Sequence, residues 1–186
     1  MLFAPPIMGT GDLVKGAPFS ASGGWETGEE GWEFTDNITG RQRMHRTDAG
    51  PARNGSWAVR RDLDKPFGDQ LGGTRRIWYA IPAANAAGLR VRFSVWHRHL
   101  DLVGTTQSTR VSLSAEINDI TPSIANAFLV KDTVSDLDTA WRLFEADFIC
   151  PQNLPVRLWL SSLSNDSSTN RATRVFDDWS VSTELP

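Results

Sequence analysis

An all-β antiparallel sandwich is the fold this sequence predicts, and three observations carry it. Short runs alternate apolar and polar residues, turn-forming clusters separate them, and no segment shows the 3.6-residue stripe of a helix. The cleanest run sets Leu89, Val91, Phe93 and Val95 against Arg90, Arg92, Ser94 and Trp96. Val111, Leu113, Ala115 and Ile117 likewise oppose Ser112, Ser114 and Glu116, and Val156, Leu158 and Leu160 oppose Arg157, Trp159 and Ser161. A period of two with one polar face belongs to antiparallel sheets covered on one side. About ten such strands fold as two packed sheets.

In chain order, residues 1–20 come first and show neither period. Pro5, Pro6 and Pro18 with Gly9, Gly11 and Gly16 argue against regular structure there, although Leu2, Phe3, Ile7, Met8, Leu13, Val14 and Phe19 are too apolar for a solvated tail. They are expected to form an extended arm lying on their own domain or on a neighbouring subunit. The sandwich is expected over 21–186, with strands at 31–35, 42–46, 56–61, 75–80, 89–100, 110–118, 125–131, 141–149, 156–162 and 173–182. Gly50-Pro51, Asn54-Gly55, Gly72-Gly73, Ile81-Pro82 and Asn118-Asp119 punctuate the loops. The closing strand carries an oddity, Asp177-Asp178, two carboxylates inside an apolar run. Buried carboxylates are costly without donors or a cation, so the pair lies at a wet rim or helps to hold a metal.

Composition narrows the function. At 186 residues with a net charge of −3, one domain can bury its own core, and nothing favours nucleic acid or an anionic membrane. Apolar runs are far short of the ~20 residues of a membrane span. A single cysteine, Cys150, excludes a disulfide framework and reads as a buried thiol. No secretory signal pattern is visible, so folding in a cytoplasm is expected; the Asn-x-Ser/Thr triplets at Asn37, Asn54 and Asn165 are then chance. Eight Trp and nine Phe stand against one Tyr. Each Trp can bury ~150–250 Å², an upper bound of ~4–6 kcal/mol. Trp25, Trp57, Trp141 and Trp179 are expected in the core.

Four motifs then resemble a known family. Ser22-Gly-Gly-Trp-Glu26 with Gly31-Trp32, Gly55-Ser-Trp-Ala-Val59, Thr139-Ala-Trp-Arg-Leu-Phe144 ending at Cys150-Pro151, and Phe176-Asp-Asp-Trp-Ser-Val181 resemble, in order, the conserved segments of jelly-roll carbohydrate-binding modules attached to xylanases and glucanases. The resemblance implies a galactose-binding-like jelly roll over 22–182 and a structural Ca²⁺ where the first and last strands meet. Its ligands would be Glu26 and Asp177, with Asp178 as substitute; Ca²⁺ favours such oxygen donors. Sugar binding does not follow from fold alone. On the polar faces, Trp96 and Trp159 among Arg92 and Arg157 are the candidate ligand or interface face, since Trp and Arg also dominate protein interfaces.

Other chemistry finds little. His97-x-His99-x-Asp101 would spread its outer ligands ~13 Å along a strand, and rim histidines fit better than zinc. There is no Gly-x-Ser-x-Gly, and no carboxylate pair stands out for glycoside hydrolysis. The expectation is a non-catalytic structural or assembly protein on a jelly roll: a bacteriophage virion surface component, capsid decoration or tail, assembled in the host cytoplasm and held to other subunits by its arm. The alternative is a free-standing carbohydrate-binding module for a polysaccharide or cell-surface glycan.

Overall fold

The computed structural model describes residues 16–34, 44–48, 52–61, 73–103, 109–135, 139–151, 154–164 and 171–186. Its strands are β1 (Phe19–Gly23), β2 (Trp32–Phe34), β3 (Met44–Thr47), β4 (Ala58–Arg61), β5 (Gly73–Ile81), β6 (Arg90–Val103), β7 (Thr109–Ile117), β8 (Phe128–Ser135), β9 (Arg142–Ile149), β10 (Val156–Ser164) and β11 (Arg171–Glu184). Two antiparallel sheets face each other. The larger runs β3-β4-β11-β6-β9 with β1 also on β11, and the smaller runs β2-β5-β10-β7-β8. The fold is the expected all-β jelly-roll sandwich.

β11 is the spine of the larger sheet. β6 pairs with it along most of its length, while β4 takes Arg174–Phe176 and β1 takes Trp179–Thr183. Sequence expectation and structure part at β1, because Phe19 and Ser20 belong to a strand and not to an irregular arm. An apolar/polar alternation of five residues beside two glycines was too short to read. The strand is entered from Gly16 and Ala17, whose N–H groups donate to Ala87 O (2.9 Å) and Ala84 O (2.7 Å). The rest of the expected arm, 1–15, lies outside the described residues.

The inward residues of both sheets make one core. Val91, Phe93 and Val95 meet Val111, Leu113 and Ala115 of β7 and Val156, Leu158 and Leu160 of β10. An aromatic wedge fills one end: Trp32 lies 5.6 Å from Trp179 and 6.0 Å from Phe93, both edge-on, and Trp25 lies 6.3 Å from Trp179. Tilted and edge-on pairs are the favoured aromatic geometry. Trp25 and Trp179 are core, as expected, whereas Trp57 and Trp141 are half-buried under Arg46 and Arg98. Cys150 is buried. His97 and His99 are not at a rim: both are buried, and His99 Nε2 lies 3.1 Å from Arg174 Nη2 and from Thr109 Oγ1.

Along one side of the sandwich β8 and β9, the last strands of their sheets, lie together. Phe128 packs on Phe148 at 5.8 Å, and Lys131 donates to Glu145 O at 2.6 Å.

Candidate functional site

The opening loop, residues 24–31, and β11 grip one short loop, 53–57. Glu26 Oε1 accepts from the N–H groups of Ser56 (2.9 Å) and Trp57 (2.8 Å). A Cβ on Gly55 would stand 2.3 Å from that oxygen, so only glycine, here at φ +70°, admits the carboxylate. Asp177 Oδ2 accepts from Arg53 N–H (2.6 Å) and Asn54 N–H (3.0 Å), and its Oδ1 from Asp178 N–H (2.8 Å). Asp178 Oδ2 accepts from the Asn54 amide (2.5 Å) and the Arg53 guanidinium. The Asn54 side chain is thereby engaged inside its own chain.

A bulge in β11 makes this possible. Asp178 takes φ +46° and, with Trp179, falls between the ladder pairs Asp177–Trp96 and Ser180–Ser94. The extra residues let Asp177 turn inward while Trp179 enters the core. Asp177 is fully buried, and burial, with the adjacent Asp178 charge, pushes its pKa up against three N–H donors.

Asp177 and Asp178 therefore meet beside Gly24, while Glu26 passes it with its Cγ and turns its carboxylate to the Ser56 and Trp57 N–H groups. A Cβ on Gly24 would lie 3.2 Å from Asp177 Oδ1, 3.6 Å from Asp178 Oδ1 and 3.9 Å from Glu26 Cγ. The donors are the oxygen type that Ca²⁺ takes. Among the described residues, however, no three His, Cys, Asp or Glu side chains form a ready metal cluster. Arg46 donates to the carbonyls of Trp25 and of Glu26 (2.7 Å), so guanidinium groups already supply positive charge to the junction.

Trp96, Arg92, Trp159 and Arg157 do not form one face. Arg92 and Trp96 point outward from β6 in the larger sheet, and Arg157 and Trp159 outward from β10 in the smaller, so the two pairs lie on opposite sides of the sandwich. A period-two pattern says which residues share a face of one strand, not which sheet the strand joins.

On the smaller sheet Trp159 is only 4 % exposed. It packs at a tilt against Trp78, ring centroids 6.1 Å apart, and donates through Nε1 to Glu116 Oε2 at 3.1 Å. Glu116, fully buried, also accepts from Asn118 Nδ2 and Ser123 N–H, both 3.0 Å, with Arg157 Nη1 3.5 Å away. Burial pushes the Glu116 pKa up, but these donors and the Arg157 charge outweigh it and hold it below the ordinary glutamate value. This is a closed network that pins the 118–123 loop. In the sequence Glu116 stands out only as a polar-face residue of an alternating strand.

The larger sheet presents a groove. Two cross-strand rows, Ser22-Ser180-Ser94-Glu145 and Ser20-Ser182-Arg92-Asp147, place small hydroxyls on three adjacent strands. Between taller neighbours they leave a trough of about 420 Å³, lined by Arg90, Arg92, Lys131, Glu145 and Asp147 above Ser94, Ser180 and Ser182. Ser94 and Ser180 share a 2.7 Å hydrogen bond, and Arg90 pairs with Asp147 at 2.6 Å. Trp96 stands in the next row, between Asp177 and Leu143. Arg53 Cζ lies 4.0 Å over its ring. Sequence reasoning missed Arg53; the neighbouring Asn54-Gly55 turn was the only signal near it.

No family model matches the chain, and no curated protein does. Solved structures do. The CBM22-1 xylan-binding domain of Xyn10C from Paenibacillus barcinonensis superposes with a TM-score of 0.59 at 14% identity, over 91% of this chain and 97% of that one. TmCBM61, solved with beta-1,4-galactotriose, gives 0.53 at 16%, over 85% and 92%. The K1 cleaved adhesin domain of Lys-gingipain from Porphyromonas gingivalis gives 0.58 at 12%, over 88% and 97%. The chain thus has a carbohydrate-binding-module-like jelly-roll fold.

Proposed function

We propose that this chain is a non-catalytic glycan-binding module whose ligand lies in the groove of the larger sheet, beside Trp96. The serine-floored trough carries the reading. Its volume suits a short stretch of saccharide, and its floor offers hydroxyls that donate and accept. Arg92, Glu145 and Asp147 stand at the walls for further hydrogen bonds, and Trp96 offers a ring for stacking. Fold likeness to a xylan-binding domain and to a module solved with a galactotriose supports the class of ligand.

Titration calorimetry against xylan, galactan and glucan oligosaccharides tests it. Trp96→Ala or Arg92→Ala is expected to weaken binding about tenfold or more, the effect of roughly 1.4 kcal/mol, with Trp78→Ala unchanged. Loss on Trp78→Ala alone would move the site to the opposite sheet. The assembly reading, with subunit partners and a virion location, keeps only its sequence basis in the apolar residues 1–15. An oligomer that becomes monomeric when they are deleted would favour it.

The carboxylates around Gly24 further suggest a structural Ca²⁺ held by Asp177 or Asp178, Glu26 and loop carbonyls. Its chemical contribution would be charge neutralisation beside Asp177, where burial disfavours the ionised carboxylate. The expected result is an unfolding midpoint raised by calcium and lowered by chelator, by about 2.7 kcal/mol of stability at 100-fold excess over Kd. A midpoint indifferent to both would remove the ion.

A further inference from the structure

Trp96 is not bare on the face that Arg53 covers. The guanidinium carbon stands 4.0 Å over the ring centroid, in stacking contact, while Nη1 pairs with Asp178 Oδ2. The main chain beneath is fixed, since Arg53 N–H donates to Asp177 Oδ2 at 2.6 Å. The side chain is thus anchored at its root and held at its head between an indole and a carboxylate. Side-chain exposures of 32% for Arg53 and 26% for Asp178 put both contacts partly in water, where a cation–π contact and an ion pair are each weak and the pair is screened by salt. Such a head group is held in place but is readily displaced.

We propose that Arg53 is a displaceable cover on Trp96, latched by Asp178, and that it sets the affinity of the groove for a sugar ring. The affinity part rests on the glycan-binding reading above; the cover does not. A pyranose stacking on the indole through its C–H face needs the surface that Arg53 occupies, so each ring bound there lifts the guanidinium away. The ligand class follows from what lies behind the cover. With the guanidinium drawn off, the Asp178 carboxylate that Arg53 pairs with is left uncompensated beside the ring, and an acidic sugar would meet that like charge, which is unfavourable. The covered end therefore takes neutral sugars.

Oxidation of Trp96 in the ligand-free protein, followed by peptide mass spectrometry, reads the cover directly. Arg53→Ala is expected to oxidise about two- to fivefold faster than wild type, the ratio an exposed cation–π contact represents. Arg53→Lys, which keeps the charge without the planar stack, and Asp178→Asn, which removes the latch, fall between. Raising the salt quickens wild type and leaves Arg53→Ala unmoved. Equal rates in wild type and Arg53→Ala overturn the cover. In affinity electrophoresis on a neutral polysaccharide, Arg53→Ala is expected to bind two- to fivefold tighter. Weaker binding by that variant would make Arg53 a ligand contact and overturn the proposal. No retention by any variant, with the oxidation difference intact, strikes the glycan-binding reading and leaves the cover standing.

Discussion

At the scale of residues, the two carboxylates that are fully buried among the described residues, Glu116 and Asp177, behave in opposite ways. Glu116 is surrounded by donors and its pKa is depressed, so its stabilising effect is present above the unfolded-state value and is lost as pH falls through the folded one. Glu116→Gln places amide hydrogens against Trp159 Nε1–H or Ser123 N–H and is expected to cost about 1–3 kcal/mol at pH 7, measured by urea unfolding. The gap to wild type should narrow as pH falls through the range where glutamates titrate; a gap constant across that range would refute the depression. Asp177 has a raised pKa, so its ionised form costs the fold stability at neutral pH, and protonation relieves that cost as pH falls. Gly55→Ala is expected to destabilise by about 1–3 kcal/mol, because φ +70° and the 2.3 Å approach to Glu26 both oppose a side chain. Differential scanning fluorimetry is sufficient to see it.

Among elements, the free edge is the informative one. β8 and β9 expose Leu129 at 59% and Ile149 at 50%, next to backbone that pairs on one side only among the described residues. Unpaired edges invite other strands, and charged residues such as Lys blunt them. Lys131 sits between the two strands with its ammonium on Glu145 O and 5.5 Å from the Phe144 ring. Lys131→Ile is expected to give concentration-dependent self-association by light scattering, with the monomer fold retained by circular dichroism; a monodisperse variant would assign the guarding role elsewhere. Strands such as β6, β7 and β10 were legible because alternation over three or more pairs of residues leaves no other reading. β1 was not, since its five residues are held by pairing with β11, where Phe19 and Thr183 are 164 residues apart in sequence. The bulge at Asp178 was visible only as two acids in the wrong place.

For the whole molecule, four weak motifs in order outweighed any one of them, and the sandwich they implied is the one observed. The site was less legible. The sequence singled out Trp96 and Arg92 correctly as outward residues, but it joined them to Trp159 and Arg157 across a sandwich whose sheet membership depends on long-range pairing. It also missed the serine trough, which exists only when three distant strands lie side by side.

The pairing of β1 with β11 reaches beyond stability. Phe19 stands opposite Thr183, with Phe19 N–H donating to Thr183 Oγ1 at 2.9 Å. The chain therefore enters and leaves the sandwich at one corner, about 4.8 Å apart in the hydrogen-bonding direction. A tight turn in another protein could be opened to receive residues 19–184 with almost no spreading of its ends. The same corner would accept a short covalent tie, so that new ends could be cut at a distant loop.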